Sequence, residues 1–219
     1  MRTGNTRKEI FTTIYKTHHW KSSESVSGPG SELCQTESLR YALPIIFKKY
    51  NIKTVLDIPC GDFNWMRYVN MSYLDRYVGA DIVKDIVQDN SKLYTNQKVS
   101  FQKIDIVEDT LPMVDLVFTR DCFVHLSNIE VLDAIKNIAK SKSKYFLSTT
   151  YQNHSKNEDT SQGKWRPINL NRTPFNLPPY IDYIDTDFQD SGKNYPGNGL
   201  GLWRIENLLF LKIDIMTPK

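Results

Sequence analysis

Short apolar runs alternate with segments of helical spacing along the middle of the chain. Each run has five to seven residues, which is long enough for a buried strand and too short for a helix. The predicted strands are Thr54–Ile58, Arg76–Ile82, Val99–Ile104, Asp115–Thr119 and Lys144–Thr149. The predicted helices are Glu32–Tyr50, Val83–Asn96 and Ile129–Ala139. This alternation predicts an α/β fold of the Rossmann-like, doubly wound type with a mostly parallel sheet.

Two further segments depart from this alternation. Residues 1–35 are predicted to form an N-terminal extension or lid, with a short helix over Glu9–Tyr15. The turn-rich stretch Ser25–Ser31 that follows is either a linker or an anion-binding nest of backbone amides. Residues 153–179 are polar and rich in asparagine and proline, and their length favours a lid or substrate-binding insertion over a simple loop.

Length and composition indicate one folded domain. With 219 residues, of which 40% are hydrophobic and 24% charged, the chain can bury a sizeable core. We divide the single domain, 1–219, into the extension 1–35, a ligand-binding core 36–152, the insertion 153–179 and the final strands 180–219. Within the last part, Tyr180–Asp185 and Leu202–Phe210 predict an antiparallel pair that brings the sheet to seven strands.

Charge and cysteine content exclude several classes of function. A net charge of +3 is too small to indicate a nucleic-acid or membrane partner. The basic residues near the start are not followed by an apolar stretch, and no apolar run is long enough to cross a membrane, so a cytoplasmic location is expected. The three cysteines are widely spaced, which favours neither a disulfide framework nor a metal site.

The turn after the first strand predicts a ligand site without a pyrophosphate. The dinucleotide motif needs closely spaced glycines, but Pro59 and Phe63 occupy this turn and Gly61 alone remains. Asp57 and Asp62 would repel a phosphate. Asp62 or the following Asn64 is expected to cap a helix that begins near Trp65. The turn therefore favours a cofactor with a polar or cationic part.

Acidic residues also end the second and third strands. Asp81 lies about 20 residues beyond the glycine turn, the spacing at which a carboxylate accepts hydrogen bonds from ribose hydroxyls. The alternative is that Asp81 caps the next helix. Asp105 follows the third strand, where it is either a ligand contact or a turn residue.

The fourth strand leads into the stretch with the most reactive side chains, Arg120–Ser127. His125 is the best candidate for a base, because the ordinary pKa of histidine lies close to working pH. Asp121 precedes it by four residues, so a helical turn would let the carboxylate orient the imidazole. The alternative is that His125 only packs against the ligand.

The turn after the first strand resembles motif I of the class I S-adenosylmethionine-dependent methyltransferases, with Asp57-Ile-Pro59-Cys-Gly61-Asp-Phe63 in place of D-x-G-x-G-x-G. The resemblance implies S-adenosylmethionine as methyl donor and S-adenosylhomocysteine as product. The donor-binding residues that we infer are Asp57, Pro59, Gly61, Asn64, Trp65, Asp81, Ile82, Asp105, Ile106 and Arg120.

Two narrower resemblances concern the acceptor. Arg120-Asp121-x-x-x-His125-Leu-Ser127 is similar to the corresponding stretch of the phosphoethanolamine N-methyltransferases, which implies catalytic roles for Asp121 and His125 and closure of the site by Tyr15. Most of the chain, including 58–65, 163–170 and 200–203, resembles small bacterial methyltransferases, some of which are associated with surface-polysaccharide modification.

Together these features predict N- or O-methylation of a small polar acceptor, with a phosphorylated or sugar-linked compound preferred. The expected acceptor-binding residues are Tyr15, Trp20, Arg166, Asn169 and Arg172. A non-catalytic partner subunit and a nucleotide-dependent oxidoreductase remain as alternatives. Asn176-Leu-Pro-Pro-Tyr180 is similar to the N-P-P-Y tetrad that ends the fourth strand in methyltransferases acting on DNA bases. Methylation of DNA bases is not expected, because Leu177 is inserted into the tetrad and the stretch lies far beyond the fourth strand.

Overall fold

Within the described part of the chain, seven of the nine strands belong to one sheet. The computed structural model describes residues 5–186, 189–190, 193–194 and 197–208. The strands are β1 Thr54–Asp57, β2 Arg76–Asp81, β3 Val99–Lys103, β4 Leu116–Thr119, β5 Tyr145–Tyr151, β6 Asp182–Asp185, β7 Gln189–Asp190, β8 Lys193–Asn194 and β9 Asn198–Arg204. Strands β7 and β8 pair only with each other.

The strand order β3-β2-β1-β4-β5-β9-β6 confirms the predicted doubly wound topology. Strands β1 to β5 are parallel, and β9 runs antiparallel to both β5 and β6. The chain proceeds outward from β1 to β3 and then returns to β4, so the order reverses between β1 and β4. Ligands of such sheets bind beyond the carboxyl ends of the strands at this reversal.

The helices are α1 Arg7–Lys16, α2 Glu37–Lys49, α3 Lys84–Tyr94 and α4 Asn128–Lys140. Short 3₁₀ helices cover Pro29–Ser31, Met66–Tyr68, Phe123–His125 and Ile205–Leu208. Both α1 and α4 begin with a capping box, in which Thr6 pairs with Glu9 and Ser127 with Glu130. Each box satisfies two helix-terminal N–H groups within the chain itself, so the sequence determines where these helices begin.

Apolar side chains alternate between the two faces of the sheet and form two core clusters. Leu56 of β1 belongs to the cluster under α4, whereas its neighbour Val55 packs with Leu39 and Phe47 of α2. Phe146 and Trp203 stack with ring centroids 5.7 Å apart in the α4 cluster. Among the described residues, no helix is long and apolar enough to cross a membrane.

The predicted helix after the first strand is wrong. Only the 3₁₀ helix Met66–Tyr68 forms there. Asp62 does not cap a helix, because its carboxylate accepts hydrogen bonds from the Ser25 hydroxyl and the Val26 N–H, each at 2.9 Å. Phe63 has a φ of +57°, which is incompatible with a helical first turn.

Two predicted boundaries also shift. The helix predicted over Glu32–Tyr50 begins at Glu37, because the 3₁₀ helix Pro29–Ser31 and a turn precede it. The last strand begins at Asn198 and ends at Arg204, and Phe210 lies outside the described residues. The strand positions 199 and 201 are glycine because aromatic rings occupy the space where a Cβ would be.

Candidate active site

A cavity of about 360 Å³ lies at the carboxyl ends of β1 to β4. This volume is within the range of small-molecule sites, roughly 300–1,000 Å³. The predicted residues that line it are Tyr15, Trp20, Asp57, Pro59, Gly61, Trp65, Asp81, Ile82, Asp105, Ile106, Arg120, Asp121 and His125. The structure therefore brings together nine of the predicted donor-site residues, both predicted catalytic residues and two of the predicted acceptor contacts.

Asp81 connects the end of β2 to the turn after β1. Its carboxylate accepts one hydrogen bond from the Gly61 N–H at 3.2 Å and another from the Val83 N–H at 2.9 Å. Burial raises the pKa of Asp81 to about 6. Gly61 has a φ of +55°, and a Cβ at this position would collide with the Ser27 hydroxyl, so glycine is required here.

Asp57 is the most deeply buried carboxylate of the cavity wall. Burial raises its pKa to about 7, although a hydrogen bond from the Tyr77 hydroxyl and the charge of Arg120 oppose the increase. This carboxyl group therefore changes charge near neutral pH, unlike an ordinary aspartate.

Asp105 is paired with an arginine that the sequence analysis did not identify. Arg7, on α1, donates from Nε to both Asp105 oxygens and from Nη2 to Oδ2 at 2.7 Å. Its Nη1 donates to Glu130 at 2.6 Å, and Nη2 lies 3.1 Å from Glu108. The sequence predicts a short helix here, over Glu9–Tyr15, but no sequence signal predicts a partner about a hundred residues away.

Arg120 and Asp121 follow β4. The Arg120 guanidinium lies 5.5 Å from the centre of the Trp65 ring, and its Nη2 donates to the Gly30 carbonyl at 2.7 Å. The same nitrogen lies 3.3 Å from Asp121 Oδ2. Asp121 also accepts a hydrogen bond from the Thr149 hydroxyl of β5 at 3.2 Å. These contacts hold the Asp121 carboxylate at the cavity wall.

His125 lies in the 3₁₀ helix after β4 and stacks on Trp20. The two ring centroids are 5.1 Å apart with an interplanar angle of 30°. The His125 carbonyl accepts a hydrogen bond from the Gly163 N–H at 2.9 Å, which joins the 153–179 insertion to this turn. Asp121 precedes the turn with a φ of +50°, so the continuous helical turn expected from Asp121 to His125 does not form.

Three of the predicted contacts are hydrogen-bonded within the fold, away from the cavity. Asn64 donates to the Glu24 carboxylate at 2.7 Å and to the Ser31 carbonyl at 3.1 Å. The buried Arg166 donates to the carbonyls of Phe123, Leu126 and Glu158 at 2.7–2.9 Å. Asn169 is buried and donates to the carbonyls of Gln152 and His154. These contacts correct the predictions, since each side chain serves as a structural anchor.

The fourth correction is Arg172, which is exposed and is not among the described residues that line the cavity.

The Ser25–Ser31 segment binds an anion within the fold, which is the carboxylate of Asp62. Neither the linker nor an external-anion nest is needed to explain these residues.

Several lining residues were not predicted as contacts. They are chiefly aromatic or come from the N-terminal part of the chain: Arg7, Phe11, residues 26–31, Tyr151 and Trp165. Residues 5–31 together form one wall of the cavity, here called the roof segment. Tyr151 ends β5, and its position at the carboxyl end of a parallel strand is a signal that could have identified it.

Comparisons with known proteins identify the fold. No family model and no curated protein matches the chain. Human N-acetylserotonin methyltransferase, solved in complex with S-adenosylmethionine, aligns over 92% of this chain and 60% of its own length, with 14% identity and a TM-score of 0.60. A putative methyltransferase solved with the Trm112 activator of Haloferax volcanii aligns over 71% and 70%, with 16% identity and a TM-score of 0.49.

The chain spans less than two thirds of the human enzyme. In this protein the mostly parallel seven-stranded sheet with antiparallel C-terminal strands is the one predicted from the sequence. The protein has the fold of the class I S-adenosylmethionine-dependent methyltransferases.

Proposed function

We propose that this protein transfers a methyl group from S-adenosylmethionine to a small polar acceptor. The observation that carries the proposal is the placement of Asp81, which is hydrogen-bonded to the Gly61 turn at the edge of the cavity. A carboxylate at this separation from the turn suits the ribose hydroxyls of a nucleoside ligand. The human neighbour that shares the fold was solved with S-adenosylmethionine bound, which supports the same donor here.

The residues of the cavity fit this donor chemically. A carboxylate accepts about four hydrogen bonds, and the N–H groups of Gly61, Ile82 and Val83 act on Asp81, so its oxygens keep capacity for a ribose hydroxyl. Asp57 in its ionised form adds negative charge, which suits the cationic donor and disfavours a dinucleotide pyrophosphate, whereas Arg7 offsets the charge of Asp105. Ile82 and Ile106 supply apolar surface for a base.

Asp121 and His125 are proposed to act on the acceptor. Both line the cavity after β4, where the acceptor would meet the donor. S-adenosylmethionine supplies a methyl group that is bonded to a sulfonium. The carbon–sulfur bond breaks in the transfer, and its electron pair stays on sulfur. The carboxylate and the imidazole can hold the acceptor and take its proton, since both are within the cavity wall. Tyr15, whose hydroxyl lies 3.4 Å from Asp89, is proposed to help close the site.

Whether the acceptor carries a phosphate depends on which cations face the cavity. The arginines expected to bind a phosphate, Arg166 and Arg172, lie elsewhere. A sugar-linked acceptor needs no such cation and stays within the proposal. A non-catalytic partner subunit, the remaining alternative, would bind the donor and transfer nothing.

The experiment that tests the proposal compares Asp81→Asn with the native protein. Titration calorimetry should show that the variant binds S-adenosylmethionine about 30-fold more weakly, because the amide has one acceptor oxygen fewer and a hydrogen bond to a charged group of about 2 kcal/mol is lost. Transfer of labelled methyl groups into an extract of the native organism should decrease in parallel. The control is Asp75→Asn, which changes an exposed carboxylate next to the other end of β2.

Circular dichroism would show whether both variants are folded. Unchanged donor affinity in Asp81→Asn, or no donor binding by the native protein, would contradict the proposal. Donor binding without methyl transfer into any fraction would favour the non-catalytic subunit.

A further inference from the structure

Aromatic side chains make up much of the cavity wall, and one of them lies against His125. Trp20 stacks on the imidazole with ring centroids 5.1 Å apart. Tyr151 and Trp165 meet edge to face at 6.0 Å, and Phe11 and Tyr15 of α1 line the same cavity. The rings come from three distant parts of the chain, namely the roof segment, β5 and the insertion. This wall offers several π faces to whatever binds beside His125.

The charges of the cavity wall favour a cation over an anion. Among the described lining residues, the arginines are Arg7 and Arg120, and lysine is absent. Arg7 is engaged by Asp105, Glu108 and Glu130, and Arg120 is engaged by a carbonyl oxygen and by Asp121.

Four carboxylates of the described residues also line the cavity. Asp105 pairs with Arg7 and Asp121 with Arg120, so the excess negative charge comes from Asp81 and from the ionised form of Asp57. An incoming phosphate would therefore meet paired cations and net negative charge. An ammonium group would be attracted by the same wall, and it would also interact with the π faces of the rings.

We propose that the methyl acceptor is a small amine that is cationic in water and carries no phosphate or carboxylate. The proposal rests on the proposed methyltransferase function and specifies its substrate class. Asp121 is the carboxylate beside the acceptor, and Trp20, Tyr151 and Trp165 bind the ammonium and its methylated product.

The chemistry of an amine acceptor is consistent with these residues. The ammonium first loses a proton, which Asp121 or His125 can take, and this frees the lone pair of nitrogen. The nitrogen–carbon bond then forms as the carbon–sulfur bond of the donor breaks, and that electron pair stays on sulfur. The methylated nitrogen is again cationic, so the aromatic wall binds substrate and product alike.

The test uses the full chain, labelled S-adenosylmethionine and a small-molecule extract of the native organism. Ion exchange at pH 7 first divides the extract into cationic, neutral and anionic pools. We expect label to enter the cationic pool. We also expect Trp165→Leu to raise the KM for that pool about tenfold, since one cation–π contact is lost, while the donor affinity stays unchanged.

Trp20→Leu should have a similar effect, which covers the case in which Trp165→Leu fails to fold. Tyr41→Leu, at an exposed ring on α2, is the matched control. Label in the anionic or neutral pool would overturn the amine proposal and leave the methyltransferase function standing. Normal donor binding with no label in any pool would also overturn it. Loss of donor binding by the native protein would instead contradict the proposed function itself.

Discussion

At the scale of single residues, the acidic strand ends share a position but not an environment. Asp57 and Asp81 are buried, and burial raises the pKa of both. Asp105 has the same position after β3, yet it is paired with Arg7. Sequence position therefore predicts where a carboxylate lies, whereas its charge depends on partners from other elements.

The raised pKa of Asp57 should make stability depend on pH. In the unfolded chain this group titrates near 3.9 and is ionised throughout pH 6–8. The folded protein binds a proton as pH falls through about 7, so acidification stabilises the folded state. We expect this group alone to make the free energy of unfolding about 1.4 kcal/mol larger at pH 6 than at pH 8.

Urea unfolding of the ligand-free protein at several pH values would measure the effect. Asp57→Asn should lack this part of the pH dependence, and Asp75→Asn, at an exposed site, should retain it. The same profile in Asp57→Asn and native protein would show that Asp57 does not titrate in this range.

At the scale of elements, α1 is attached to the sheet edge by ion pairs of very different burial. At its start, Arg7 has 10% side-chain exposure and contacts two carboxylates that are almost as buried. At its end, the largely exposed Lys16 lies 3.6 Å from Asp85. The buried cluster should therefore contribute most to holding the roof segment against the cavity.

Replacing each cation with methionine tests this difference. Arg7→Met leaves two buried carboxylates without their partner, and we expect it to lower the free energy of unfolding by about 2–3 kcal/mol. Lys16→Met breaks an exposed pair and should change it by less than about 0.5 kcal/mol. Urea denaturation measures both values. Equal losses in the two variants would show that the Arg7 cluster does not anchor α1.

At the scale of the whole molecule, Arg166 joins the 153–179 insertion to the 3₁₀ helix Phe123–His125. The guanidinium donates to the carbonyls of Phe123 and Leu126, which flank His125, and to that of Glu158 in the insertion. Burial of this side chain lowers its pKa, but the carbonyl contacts still require a planar, multiply donating group.

Arg166→Lys should therefore disturb the acceptor side without disturbing the donor side. We expect the rate of methyl transfer to decrease at least tenfold, with the dissociation constant of S-adenosylmethionine changed by less than about twofold. Arg172→Lys makes the same change at an exposed position of the insertion and should have no effect. Parallel losses of donor binding and transfer in Arg166→Lys would indicate general unfolding.

The parts of this molecule that the sequence predicts are those governed by local pattern. Strand β1, helix α4 and the acidic strand ends follow from the periodicity of apolar and polar residues. The roles of Arg166 and Asn64 could not be predicted, because the same residue types occur as buried structural anchors and as ligand contacts. What separates them is a set of contacts between distant segments.

Those distant contacts impose an order on folding. Val26 bonds to a residue 36 positions away, and Arg7 contacts residues 98 and 123 positions further along the chain. During synthesis the roof segment emerges well before its partners. Closing such long loops slows folding far more than it reduces stability. The complete cavity wall, which includes Trp165, therefore forms only after that residue has been made, more than 130 positions after the end of the roof segment.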